Sequence, residues 1–305
     1  MQFPNEVKAE LNLDEPGEKL VQYAKENLGE DPATRCQVLS DFRDLIFAKG
    51  ECVPHRTDDE YLLKFLRCRN FVIERAHRLI CNYYDFKESN PEYFEGVHLG
   101  KLSKMGKHDI ISVPPYRDQL GRRILLYRIG NWDPERFSTT NIFQATLIIL
   151  ELAILEPQFQ IVGGVCIFDL GGLTMQQAWQ MSPSIAHRVV QIMVTCFPLN
   201  LKAVHIVNQP WIFDMVYNIF KPFIDERMKE RIFFHGDDMD SLHQHIDPKC
   251  LPERYGGLHP DYNYNDWIEG FKKSEKIEKE LESLGYQTKN IEENEDDENE
   301  KNDSD

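Results

Sequence analysis

The chain lacks a run of apolar residues long enough to cross a bilayer, which takes roughly 20 in a helix. Its longest candidate, residues 145–155, is broken by Glu151. It also lacks an excess of positive charge: 35 Lys and Arg face 51 Asp and Glu, giving a net charge of −16 and a pI near 5.1. A general nucleic-acid binder needs a basic footprint, so that class is excluded. Among its seven cysteines there is no CxxC and no close pairing, and the first residues do not read as a signal peptide. These absences predict free thiols in a reducing compartment and a cytoplasmic protein, transiently peripheral on intracellular membranes if it meets lipid.

Catalytic patterns are missing too. Gly171-Gly172 does not carry the GxGxxG spacing of a dinucleotide loop, and no acidic partner follows at the required distance. The segment from Gly100 to Gly106-Lys107 is one residue too long for a P-loop, and His108 stands where Ser or Thr would hold magnesium. There is no GxSxG elbow. His243 and His245 alternate in a polar loop without the further ligands of a zinc site. Asp237, Asp238 and Asp240 lack the late glutamate of a calcium loop; counted from Asp238, Lys249 takes its place. His205, within an apolar run, reads as a hydrogen-bonded core residue. The expectation is therefore a protein that is not an enzyme and has no metal and no cofactor.

What is present comes in two textures. Leu20, Tyr23, Ala24 and Leu28 recur at helical spacing, as do Leu39, Phe42, Leu45 and Ile46. Thr57 with Glu60 reads as a capping box ahead of Leu62, Leu63, Phe65 and Leu66. A further helix follows Asn70, with Val72, Ala76, Leu79, Ile80 and Tyr83 on one face, so the chain is all-helical to about Pro91. From Gly121 apolar strands (residues 123–129, 164–170 and 203–207) alternate with helices (residues 140–156 and 182–196). That alternation predicts an α/β fold with a mainly parallel sheet. At the other end, residues 292–305 hold nine acidic residues and one lysine, a disordered tail by composition.

The most informative stretch is residues 197–236. Its strand ends before Pro210, which suits the first turn of a helix. That helix bears Trp211, Ile212, Phe213, Met215, Val216, Tyr217, Ile219 and Phe220 around nearly its whole circumference, interrupted by Asp214 and Asn218. Such a helix must be buried on most sides or meet lipid. Lys221, Arg227, Lys229 and Arg231 follow it, and Arg227 and Arg231, four apart, are expected on one helix face.

An ordered set of motifs carries a resemblance. The N-terminal half has Leu62-Leu63-Lys64-Phe65-Leu66-Arg67-Cys68-Arg69-Asn70-Phe71 and then Glu74-Arg75-Ala76. Phe168-Asp169-Leu170, Thr174-Met175-Gln176-Gln177-Ala178, Phe197-Pro198 and Asn208-Gln209-Pro210-Trp211 follow. Lys221-Pro222-Phe223, His235-Gly236-Asp237-Asp238, Leu251-Pro252 and Tyr255-Gly256-Gly257 complete the set. From about residue 20 to 270 the chain resembles the CRAL-TRIO lipid-binding family, in the group with alpha-tocopherol transfer protein, cellular retinaldehyde-binding protein and the clavesins.

The resemblance implies a helical N-terminal domain before a CRAL-TRIO domain, whose sheet floors an apolar cavity closed by a mobile gate helix. The implied layout is a flexible start (1–16), helical domain (17–95), lipid-binding domain (96–260), C-terminal helical extension (261–288) and disordered acidic tail (289–305). By position, Phe168, Ile192, Val204, Ile212, Val216 and Ile219 would line the pocket, with Trp179 a further candidate. Trp211, Phe213 and Phe220 would form the membrane side of the gate. Lys202, Arg227, Arg231 and Lys221 would meet a phosphoinositide head group, although Asn200 departs from a lysine in the tocopherol protein. Arg188 stands where phosphatidylinositol exchangers carry an acidic residue, which argues against direct exchange of that lipid. The implied function is a carrier of one hydrophobic ligand (tocopherol-like, retinoid-like or another isoprenoid) released at phosphoinositide membranes. The alternative is a phosphoinositide-binding trafficking regulator without cargo, with a protein partner recruited by the acidic tail.

Overall fold

The structure, a computed structural model, describes residues 11–98, 105–261 and 274–288. The acidic tail and most of the P-loop-like segment lie outside the described residues.

Four helices open the chain: α1 (Glu18–Leu28), α2 (Arg35–Lys49), α3 (Asp59–Cys68) and α4 (Ile73–Ser89). Helix α3 is capped by Asp58, whose side chain accepts from the Tyr61 amide. The cap thus lies one residue beyond the expected Thr57, because Asp58 reaches the free N–H groups of the first turn. Leu62, Phe65 and Leu66 of α3 are buried with Phe42 of α2 and Leu79 and Ile80 of α4. Arg67 is buried as well: its guanidinium donates twice to Glu30 at 2.7 Å and once to Gln160 Oε1 at 2.7 Å. This fork ties α3 to the α/β region, so part of the N-terminal signature is structural glue.

The α/β region runs β1 (Ile111–Ser112), β2 (Arg123–Arg128), α5 (Thr139–Ala153), α6 (Pro157–Val162), β3 (Gly164–Asp169), α7 (Met175–Trp179) and α8 (Pro183–Val190). It continues through β4 (Leu201–Val207), α9 (Phe213–Phe220), α10 (Glu226–Lys229), β5 (Ile232–Gly236) and α11 (Met239–His243). The strands form one sheet in the order β1-β2-β3-β4-β5, parallel except for the antiparallel β1. Strand β5 was not expected; Ile-Phe-Phe-His-Gly is short, and its pairing depends on a distant β4. The expected helix over residues 182–196 splits, since α8 passes into a π-helical turn, Gln191–Cys196.

Successive side chains on a strand point to opposite faces, and each face here has its own core. On one face Leu125, Cys166, Val204 and Ile232 align across four strands, beside the row Tyr127, Phe168, Ile206 and Phe234. On the other, Ile124, Leu126, Val165, Ile167 and Ala203 pack with Leu242, Ile246, Leu251 and Tyr255. His205 lies on this second face, its Nδ1 3.0 Å from His235 Nε2. Burial, then the neighbouring His235 and His245, lowers its pKa to about 3, so it is a neutral core residue. The last described helix, α12 (Glu275–Ser283), returns to the N-terminal helices. Glu280 accepts from Arg56 and from the buried Lys64, and Leu281, Leu284 and Tyr286 enter the main core.

Candidate functional site: a gated apolar cavity

The first face of the sheet is only partly covered by packed side chains. Between it and the helices lies a cavity of about 280 Å³. Its floor is Leu125, Tyr127, Cys166, Phe168, Val204, Ile206 and Ile232. Ile142, Phe143, Ile149 and Leu150 of α5 form one wall, and Ile185, Val189, Ile192 and Met193 another. Helix α9 covers it with Phe213, Val216, Tyr217 and Phe220, at i, i+3, i+4 and i+7. That spacing is one helical stripe. Water entering such a space finds few partners, whereas an apolar molecule finds many.

The polar side chains at its boundary are mostly engaged with one another. Tyr127 Oη donates to Thr146 Oγ1 at 2.9 Å, and burial pushes this phenol above its ordinary 10. Gln177 donates to the carbonyls of Gly130 and Trp132, while its Oε1 accepts from the Thr174 amide. Glu156, 0% exposed, accepts from Arg123 Nε at 2.8 Å, Arg117 Nη2 at 3.0 Å and the Asn12 amide at 2.8 Å. Burial alone would raise the Glu156 pKa; the Arg123 hydrogen bonds and the charges of Arg123 and Arg117 outweigh it and hold the carboxyl below 4.5. One end of the cavity is therefore closed by a compensated ion cluster.

The expected site residues divide on this geometry. Phe168, Ile192, Val204 and Val216 line the cavity. Ile212 is buried against Ala178 and Val216, beside the cavity and not on its lining. Ile219 is half-buried and also off the lining. Trp179 is 72% exposed, because the short α7 turns Gln177 and Ala178 inward and leaves its last residue outside. For the membrane side of the gate, only Trp211 stands outward, at 82% exposed. Phe213 and Phe220 face the cavity, on the same stripe as Val216. Asp214 and Asn218, the two interruptions of the apolar helix, are exposed together with Met215 and define a solvent side.

A polar cluster lies where the chain leaves the sheet for α9. Asn208, the first residue after β4, has φ +53°. Asparagine tolerates this left-handed region better than most side chains. Its Nδ2 donates to Asp169 Oδ1 at 2.9 Å, and Asp169 also accepts from the Gly171 amide and from Tyr255 Oη. Gln209 Oε1 accepts from the Gly236 amide at 3.0 Å. Motif residues scattered along the sequence thus converge on the base of α9, and they hold the gate without touching what it encloses.

The basic residues occupy several positions. Lys202, on β4, is half-buried; burial first, then the Arg231 and Arg122 charges, lowers its pKa below 10.5. Its charge, with those of Arg69 and Arg75, also acts on Cys68. Arg231 donates to the Leu201 carbonyl at 3.1 Å, and Arg227 is exposed. Among the described residues neither arginine forms an ion pair, while Glu226 pairs with Lys229 at 2.6 Å. The shared helix face expected for Arg227 and Arg231 is absent, because α10 ends at Lys229 and Arg231 leads directly into β5. Lys221 follows the gate, donating to Asn218 Oδ1 at 2.9 Å with its ammonium 5.3 Å from the Tyr217 ring centroid. Arg122 was not anticipated; its distance from Lys202 in sequence hid it.

Comparison with known proteins gives the same architecture. Residues 107–257 match the CRAL/TRIO domain. Clavesin-1 of Xenopus laevis is 34% identical over 249 residues, covering 81% of this chain and 75% of that protein. Clavesin-2 of Homo sapiens is 32% identical over 249 residues, covering 81% of this chain and 76% of that one. Among solved structures, that of Sfh5 superposes with a TM-score of 0.52 at 18% identity, over 78% of this chain and 91% of that chain, a likeness of fold. With a relative this similar over most of its length, the chain belongs to the CRAL-TRIO lipid-binding family.

Proposed function

We propose that the protein is a lipid-transfer protein that carries one hydrophobic molecule in its cavity and exchanges it at phosphoinositide-bearing membranes by moving α9. The observation that carries this reading is the apolar cavity beneath a helix joined to the sheet through a polar cluster. A ligand burying ~400 Å² of apolar surface gains about 10 kcal/mol relative to water at 25 cal/mol per Å². A bilayer offers nearly the same gain, so transfer is close to thermoneutral and depends on opening the gate. The ligand class we favour is a tocopherol-like, retinoid-like or other isoprenoid molecule, since compensated boundary groups leave little to hold a charged head group inside.

Trp211 is the residue through which the gate would enter the interface, where indole rings are favoured. Trp179 joins it in this proposal as a second exposed indole, on the helix that packs against the gate. Lys202, Arg227 and Arg231 would supply the attraction for an anionic head group, which would relieve the mutual repulsion around Lys202. Transfer of a fluorescent hydrophobic lipid between vesicles tests the gate. W211S, at an exposed site, is expected to slow transfer at least several-fold while leaving the melting temperature unchanged. Transfer at the wild-type rate would count against this route. A wild-type protein that docks on phosphoinositide vesicles yet moves no lipid would favour the regulator without cargo.

A further inference from the structure

The helical domain contains a group of side chains that the lipid-binding role does not use. Helix α2 ends at Gly50, whose left-handed backbone (φ +61°) turns the chain sharply. Glu51 and Cys52 follow at once. They come up against His77 and Cys81 of α4, which are four residues apart and so share one helix face. Cys52 Sγ lies 3.4 Å from Cys81 Sγ. Cys81 Sγ is 3.9 Å from His77 Nδ1, and that nitrogen is 3.6 Å from Glu51 Oε2. None of the four residues lines the cavity.

We propose that Cys52, Cys81, His77 and Glu51 form a zinc-binding site in the helical domain. Zinc takes thiolate, imidazole and carboxylate ligands at ~2.0–2.3 Å, and ligands at the corners of such a tetrahedron lie roughly 3.3–3.8 Å apart. Glu51, His77 and Cys81 already offer ligand atoms within 4.8 Å of one another, and Cys52, beside Cys81, would turn its side chain to complete the tetrahedron. The donor set favours zinc over calcium or magnesium, which prefer oxygen. His77 and Cys81 are buried and fixed on one helix, whereas Glu51 is exposed, so the carboxylate is the exchangeable ligand. On binding, the two cysteine thiols lose their protons and bond to the metal as thiolates, with no change of oxidation state. The bound ion would pin the connection between α2 and α3 onto α4. Sequence spacing hides the site, because Cys52 and His77 are far apart and no CxxC marks either half.

The test is a cobalt(II) titration of the reduced full-length protein. We expect about one equivalent to produce thiolate-to-cobalt charge-transfer absorption and the intense visible bands of four-coordinate cobalt, as a tetrahedral thiolate site requires. Zinc should then abolish both. C52S and C81S should each lose most of the charge-transfer signal, H77N should weaken the visible bands, and C36S, at an exposed and separate thiol, should change nothing. Zinc should also raise the melting temperature of the wild type, a readout that does not depend on the variants folding. Absence of thiolate-to-cobalt absorption in the wild type would overturn the proposal, as would its persistence in a folded C52S/C81S double variant. Lipid binding should survive in C52S, which separates failure here from failure of the carrier reading.

Discussion

Glu156 shows how a single side chain can matter far from any ligand contact. It is fully buried and supports two guanidinia, those of Arg117 and Arg123, at the boundary of the cavity. Removing one partner of a buried ion cluster leaves an uncompensated charge, which typically costs about 3–5 kcal/mol. E156Q is thus expected to lower stability by about that amount, measured by urea unfolding at neutral pH. The same carboxyl gives a pH signature. Its folded pKa lies below 4.5, so its stabilisation is complete above that value and is lost as the pH falls through the folded pKa. E156Q should flatten that acid limb. The sequence does not disclose the cluster, because Arg117, Arg123 and Glu156 meet only once the sheet and α6 are in place. Phe168 and Val204, positions implied by the family resemblance, lie on the cavity face of β3 and β4. Trp179 misled for a local reason, as large aromatic residues are usually buried, yet this one ends a helix of five residues.

At the scale of the element, α9 covers the cavity from a base held by polar contacts. Its cavity side is the stripe of Phe213, Val216, Tyr217 and Phe220, and a flank of Ile212 and Val216 rests on Ala178. The two buried aliphatics contribute about 1.5–3 kcal/mol each to closure, an amount a membrane can offset. The base is over-determined by the contacts of Asn208 and Gln209. N208G should keep the backbone turn while losing the bond to Asp169, whereas N208V should lose both, since a β-branched residue is strained at positive φ. We expect N208V to be less stable than N208G by about 1–2 kcal/mol, read from paired thermal unfolding curves. The gate is legible in sequence as an apolar segment after Pro210. Its register is not, because eight apolar residues leave too little polar contrast to fix which side faces in. The polar cluster at its base is hidden for another reason: Asp169 and Tyr255 are 86 residues apart along the chain and meet only in the fold.

For the whole molecule, the sheet divides two cores and the cavity belongs to one of them. Short apolar runs, β-branched in β3 and β4, make β2, β3 and β4 readable; β5 and the two-residue β1 depend on pairing. The surface carries a contrast of charge, with a net −16 overall and Lys202 beside Arg231 and Arg122, of which Arg122 is paired with Asp118. Deleting residues 292–305 removes nine of the acidic residues. We expect tighter binding to anionic vesicles in the deleted protein, most marked at low salt and lost once the Debye length falls to about 3 Å near 1 M. Sedimentation with vesicles across a salt series measures this. The central claim, that the cavity holds a lipid, has a more direct test. Protein is equilibrated with a whole-cell lipid mixture, re-isolated and extracted for mass spectrometry, alongside I206W, whose added bulk fills the cavity from its floor. One hydrophobic lipid enriched in the wild type and absent from folded I206W is the predicted result. No lipid enriched over I206W, or the same lipid retained by it, would contradict the account.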